Sequence, residues 1–255
     1  MPAPSGPEQD TPRPASGTLA AHADRWRDKP VLRLVYADLY RRMRAWVPPG
    51  PVLEVGGATG GVGAGLDDVV RTDIQRVAGV DVVADAHLLP FADASFNAIV
   101  MVDVLHHVEV PLRFLREARR VLRPGGRIVV VEPYLSPLSR LFYRHFHPEP
   151  FDEQVDPLQD ACPTRGRDPY AANQATPGLL FGAARRRLPA AVPGLAVAHT
   201  ECLSLLAYPL SGGYRPWSLV PTALVPAVLR LEDRLMPLLG PLAAFRLLGV
   251  IERRA

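Results

Sequence analysis

Short apolar runs that each break off at an acidic residue or a glycine turn constrain this chain more than any other feature. Val52–Val55 carries Glu54 and runs into the turn Gly56-Gly-Ala-Thr-Gly60. Val69–Asp73 ends on Asp73, 19 residues after Glu54. Runs at 80–84, 98–103 and 127–132 stop at Asp85-Ala86, at Asp103 and at Glu132. They are rich in Val and Ile, as strands buried on both faces must be. Between the fourth and fifth, Leu112, Leu115, Ala118 and Leu122 recur at helical spacing before Arg123-Pro-Gly-Gly126 stops the helix. Alternating strands and helices imply right-handed crossovers and a doubly wound α/β sheet, whose crevice lies along the carboxyl edge of the strands. Only 12 residues separate Asp73 from Asp85, third strand included, so a bare loop is expected there in place of a crossover helix.

Composition narrows the remaining choices. A chain of 255 residues with 48% apolar content buries one sizeable core, so a single domain over 18–255 is expected. Residues 1–17 hold five prolines and almost nothing apolar, which predicts a disordered tail. Net charge is +3, Lys29 is the sole lysine, and Arg185-Arg-Arg187 is too short for a nucleic-acid footprint. Two cysteines make no disulfide framework and no signal peptide opens the chain, so the cytoplasm is the expected compartment. Leu32, Val35, Leu39, Met43 and Trp46 predict a helix over 30–47. A further helix is expected over 136–147, a Pro-rich loop over 148–176, and strands at Leu195–Leu203 and 245–252. The stretch 216–229 is uncharged, but 14 residues broken by Pro221 and Pro226 cannot span a bilayer.

The ordered set of motifs resembles the class I S-adenosylmethionine-dependent methyltransferases, and most closely the ubiquinone and menaquinone C-methyltransferase branch. The carriers are Glu54-x-Gly56-x-x-x-Gly60, Asp73, Asp85-Ala86 with Leu89-Pro-Phe91, Ser95-Phe-Asn97, Val102-Asp-Val-Leu-His-His107 and Leu122-Arg-Pro-Gly-Gly-Arg127. The resemblance covers about 50–135 and implies a seven-stranded, mostly parallel sheet. It also implies S-adenosyl-L-methionine as cofactor. Gly56, Gly57 and Gly60 would hold its methionine portion, with Glu54 beneath the turn as an indirect anchor and Val102 and Asp103 at the methionine end. Asp73, beside Ile74, would accept from the ribose hydroxyls, a bidentate carboxylate suiting a vicinal diol. Asp85 would accept from the adenine amino group, with Ala86 and Leu88 or Leu89 along the ring. One position departs from the family pattern: Ala58 stands where a glycine is usual.

The expected activity is methyl transfer to a small-molecule or lipid-like acceptor by in-line displacement, which needs alignment more than acid–base help. The alternative is a catalytically degenerate binding module. No residue is a compelling base; His106, His107, His145 and Tyr134 are the candidates. No metal is expected, because adjacent residues such as His106 and His107 should point about 100° apart and no HExxH or cysteine cluster accompanies them. Residues 136–255 are assigned to the acceptor side. Within them the aromatic, Pro-rich stretch 204–243 is read as a cap over an apolar acceptor, a surface leaning on a membrane, or extra core.

Overall fold

The computed structural model describes residues 13–14, 17–59, 65–146 and 149–254. Gly60 and His147 lie outside them, as does the expected tail but for Arg13, Pro14 and Gly17. Arg13–Pro14 pair in parallel with Gln75–Arg76, and helix α1 already begins at Gly17 (Gly17–Asp28).

The strands are β1 (Val52–Val55), β2 (Val69–Asp73), β3 (Val82–Val83), β4 (Phe96–Val102), β5 (Leu122–Pro133), β6 (Leu195–Leu203) and β7 (Arg246–Arg253). They form one seven-stranded sheet in the order β3-β2-β1-β4-β5-β7-β6. β1 to β5 run parallel, and β7 lies antiparallel between β5 and β6. The order reverses beside β1, so the crevice expected for such a sheet opens over the ends of β1 and β4.

Side chains alternate across a strand, and that period of two sorts the core into layers. Leu53, Ile99, Met101, Ile128 and Val130 face one side with Leu112, Leu115 and Ala118 of α3 (Pro111–Val121). Val52, Val100, Val129 and Val131 face the other, against Leu32, Leu39 and Met43 of α2 (Pro30–Arg44). Leu115 is fully buried, and its replacement by Ala is worth about 2–5 kcal/mol. The link from β2 to β3 holds no helix, as its length requires, but its residues Gln75–Arg76 are the short strand that pairs with Arg13–Pro14; both residues of β3 are only half-buried.

After β5 come α4 (Pro137–Phe146), α5 (Thr176–Phe181) and α6 (Leu188–Ala191), then α7 (Ala207–Ser211) and α8 (Val225–Ala243) beyond β6. α8 runs 19 residues through Pro237 and Pro241, the prolines that hide it in the sequence. No described helix is long and apolar enough to cross a membrane.

Candidate active site

A single cavity of about 740 Å³ opens at the carboxyl ends of β1 to β4 and continues beneath α4 and α7. Its first half is built from turns. At the end of β1 the chain turns at Gly56, whose φ is +76°; a Cβ there would fall 2.2 Å from Val104 Cγ2. Only glycine fits this position. Its amide donates to the Thr72 carbonyl (2.8 Å), tying the turn to β2. Glu54, buried in β1, sits with Oε2 3.5 Å from Arg71 Nε. Asp73 accepts from the Gln75 amide at 2.8 Å; burial holds its carboxyl above the usual range, against the amides of Gln75, Ala58 and Ile74. Asp85 accepts from the His87 amide (2.9 Å) and lies 2.7 Å from His87 Nδ1. Because His87 Nε2 accepts from the Val110 amide (3.2 Å), the ring proton belongs on Nδ1 and points at Asp85.

Glu54, Gly56, Asp73, Ile74, Asp85, Ala86, Val102 and Asp103 therefore share one cavity wall. Gly57 does not: it is buried in the turn behind, where a Cβ would press on Arg71 and Glu54 at 3.3 Å. Neither leucine assigned to the adenine ring lines the cavity. Leu89 joins the core, and Leu88 is 76% exposed.

Asp103 is the hinge between the two halves. It holds φ +56°, a left-handed conformation that side chains adopt at a cost of order 1–3 kcal/mol. A buried network fixes it there. Arg246, from the first position of β7, donates to both carboxylate oxygens, and Tyr36 Oη from α2 donates to Oδ2 at 2.7 Å. The Arg246 guanidinium also stacks 3.9 Å from the Tyr208 ring centroid. Burial alone would raise the Asp103 carboxyl, but the Arg246 charge outweighs it and holds the pKa below the usual range.

Beyond Asp103 the walls turn aromatic: Tyr36 and Tyr40 from α2, Phe142 and Tyr143 from α4, and Tyr208 and Tyr214 around α7. The loop carrying Tyr214 is organised by the chain's sole lysine. Lys29 Nζ donates to the carbonyls of Ser211, Gly213 (2.7 Å), Arg215 (2.9 Å) and Trp217 (2.9 Å). One ammonium thus gathers four carbonyls as a bound cation would. Burial, helped by nearby Arg25, brings the Lys29 pKa down to about 8.

His106 and His107 form a third wall. Residues 105–107 make one tight turn, and the two rings lie 4.1 Å apart, tilted by 39°. The divergence expected of neighbouring side chains does not occur, because Glu132 at the end of β5 draws His106 inward. The buried Glu132 carboxylate accepts from the amides of Val104 (2.9 Å) and Leu105 (2.7 Å), and lies 2.6 Å from His106 Nδ1. The other ring nitrogen, Nε2, stands 3.5 Å from Glu149 Oε2. Burial opposes charge on His106, yet Glu132 and then Glu149 overcome it and raise the pKa to about 10. For His107, burial and the charge on His106 act together and lower it to about 4.

The other two candidate catalytic residues do not reach the cavity. His145 lies on the exposed face of α4, and Tyr134 packs against the core that includes Phe181. Sequence reading missed Arg246, Tyr36, Lys29 and the anchoring role of Glu132. Two faint signals existed: an arginine heading the otherwise apolar run Leu247–Ile251, and a lysine occurring once.

Residues 54–130 match the family described as a methyltransferase domain. Among curated relatives, the demethylmenaquinone methyltransferase of Tropheryma whipplei is 46% identical over 65 residues, 24% of this chain and 27% of that protein. That of Renibacterium salmoninarum is 38% identical over 118 residues, 38% of this chain and 48% of that protein. The chain thus spans less than half the length of either relative. The structure of geranyl diphosphate C-methyltransferase from Streptomyces coelicolor superposes with a TM-score of 0.50 at 12% identity, over 85% of this chain and 78% of that one. At that identity the likeness shows the fold alone.

Proposed function

We propose, from a core that belongs to the class I S-adenosylmethionine-dependent methyltransferases, that the protein transfers a methyl group from S-adenosyl-L-methionine to a small, apolar acceptor. One observation carries this reading: a single cavity joins the acidic strand ends to an aromatic chamber. The division of labour broadly follows the chain, with 50–135 serving the cofactor and 136–255, joined by α2, the acceptor, inside one domain over 18–255.

The residues present suit the cofactor. Asp73 supplies acceptor oxygens for a vicinal diol, and Asp85 for an amino group. The Gly56 turn and Glu54 take the methionine portion. Asp103 contributes through its pair with Arg246 rather than as a lone carboxylate. The bound cofactor supplies an electrophilic methyl on a sulfonium. The protein's part is to align an acceptor with it and exclude water, the role for which Tyr36, Tyr208 and Tyr214 are placed.

Apolar surface continues outside the cavity. Packed together, α4 and α8 leave Leu138 (51%), Leu141 (57%), Leu238 (77%) and Leu242 (59%) in solvent. Phe146, which lines the cavity and is 63% exposed, connects this patch to the interior. A lipid surface is the source of acceptor that fits such a patch, and co-sedimentation with vesicles tests it.

The decisive experiment is calorimetric titration with S-adenosylhomocysteine, followed by incubation with labelled S-adenosylmethionine and extracts of the host. Binding with 1:1 stoichiometry and a labelled apolar product are expected. Absence of heat at millimolar ligand overturns the reading.

A further inference from the structure

We infer that His106, His107 and Glu149 bind one divalent transition-metal ion of the zinc class at the cavity wall, contrary to the expectation drawn from sequence. One ligand atom from each lies within 4.8 Å of the others. Three features of the surroundings point to a ligand rather than to a plain hydrogen-bonded cluster.

The first is spacing. Nitrogen and oxygen ligands about 2.0–2.1 Å from a tetrahedral ion stand about 3.4 Å apart along an edge. His106 Nε2 and Glu149 Oε2 are 3.5 Å apart, long for a direct charge-assisted hydrogen bond and right for an ion between them.

The second is orientation. A metal-ligating histidine donates its other ring N–H to a carboxylate or carbonyl, which fixes the tautomer and turns the second nitrogen to the metal. His106 has this arrangement: Nδ1 is 2.6 Å from Glu132, a fully buried carboxylate itself pinned by the Val104 and Leu105 amides. Gln174 Nε2 donates to Glu149 Oε2, the oxygen that faces His106, and holds that carboxylate in place.

The third is an orphaned buried atom. His107 Nδ1 is buried with no hydrogen-bond partner among the described residues, a cost that a coordinate bond removes. Two imidazoles and one carboxylate suit Zn²⁺, Co²⁺ or Fe²⁺ and leave coordination positions open toward the cavity, where an oxygen or nitrogen donor on a small molecule would complete the shell.

This site stands or falls independently of methyl transfer, since metal binding is read directly. The full chain, stripped with a chelator, is titrated with Zn²⁺ against a chromophoric competitor and with Co²⁺ by absorption. One ion per chain is expected, with visible Co²⁺ bands and no thiolate charge-transfer band, which separates the site from Cys162 and Cys202. His107→Ala and Glu149→Gln should each weaken binding tenfold or more, and Glu132→Gln by about 10- to 100-fold. Circular dichroism confirms that each variant is folded; His107→Ala, at the cavity surface, remains informative if Glu132→Gln does not fold. Three results overturn the assignment: no binding at 100 µM metal, a thiolate band, or unchanged affinity in folded His107→Ala and Glu149→Gln.

Discussion

The two halves of the cavity are built in opposite ways. The half proposed for the cofactor is local: Glu54, Gly56, Asp73, Asp85 and Asp103 sit at the ends of successive parallel strands within about 50 residues, and their positions follow from the sheet. The half proposed for the acceptor is assembled from α2, α4, α7 and the start of β7, segments joined only by tertiary contact. Its central ion pair, Asp103 with Arg246, links residues 143 apart, and the Lys29 clamp spans up to 188. A strand-end site tolerates change elsewhere in the chain; a converged site depends on every segment that reaches it.

That contrast gives its sharpest test at the junction. Asp103→Asn leaves the Arg246 guanidinium buried without its counter-charge, and breaking such a pair costs about 3–5 kcal/mol. Urea unfolding should register a loss of this size; a loss under about 1 kcal/mol would mean that the network does not hold the halves together. Next comes Lys29→Met, which removes four charge-assisted hydrogen bonds from the loop bearing Tyr214. Stability should fall by about 1.5–3 kcal/mol, while S-adenosylhomocysteine affinity stays within about twofold. Equal loss of both would show that the halves are not separable.

Asp73→Ala reverses the pattern. Cofactor affinity should weaken by about 1–3 kcal/mol through lost charged hydrogen bonds, with acceptor-side stability unmoved. Calorimetry reads the first and thermal unfolding the second. The smallest effect is on pH dependence. Asp103 has a folded pKa below its ordinary value, so its contribution is present above that value and is lost as pH falls through the folded one. Acid titration of stability should therefore be flatter in Asp103→Asn than in the natural chain; parallel curves would remove Arg246 as the cause.

Legibility followed the same division. The strands of the main sheet, α3 and the lack of a helix after Asp73 were readable because apolar runs, helical spacing and turn residues are local signals; the pairing of Gln75–Arg76 with Arg13–Pro14 was not. Departures came where tertiary context overrode them. Leu89 was assigned to the adenine ring and went to the core, its side chain facing the layer that holds Phe96 and Leu115. His145 was a candidate base, yet the helical phase of α4 turns it outward while Tyr143 points in. His106 and His107 were expected to diverge, and a glutamate 26 residues on brought the rings together. Prolines concealed α8, which packing against α2, α4 and β6 supports.

By itself, the sequence determined the sheet, the edge on which a site must lie and the acidic residues that line it. Each of these rests on period-two burial, strand-end chemistry and the steric freedom of Gly56. Only the tertiary structure decided what faces them. Arg246, Lys29 and Glu132 are ordinary polar residues until burial strips away water. In that setting an unpaired charge is too costly to keep, so each is bound to a distant partner that no local pattern announces.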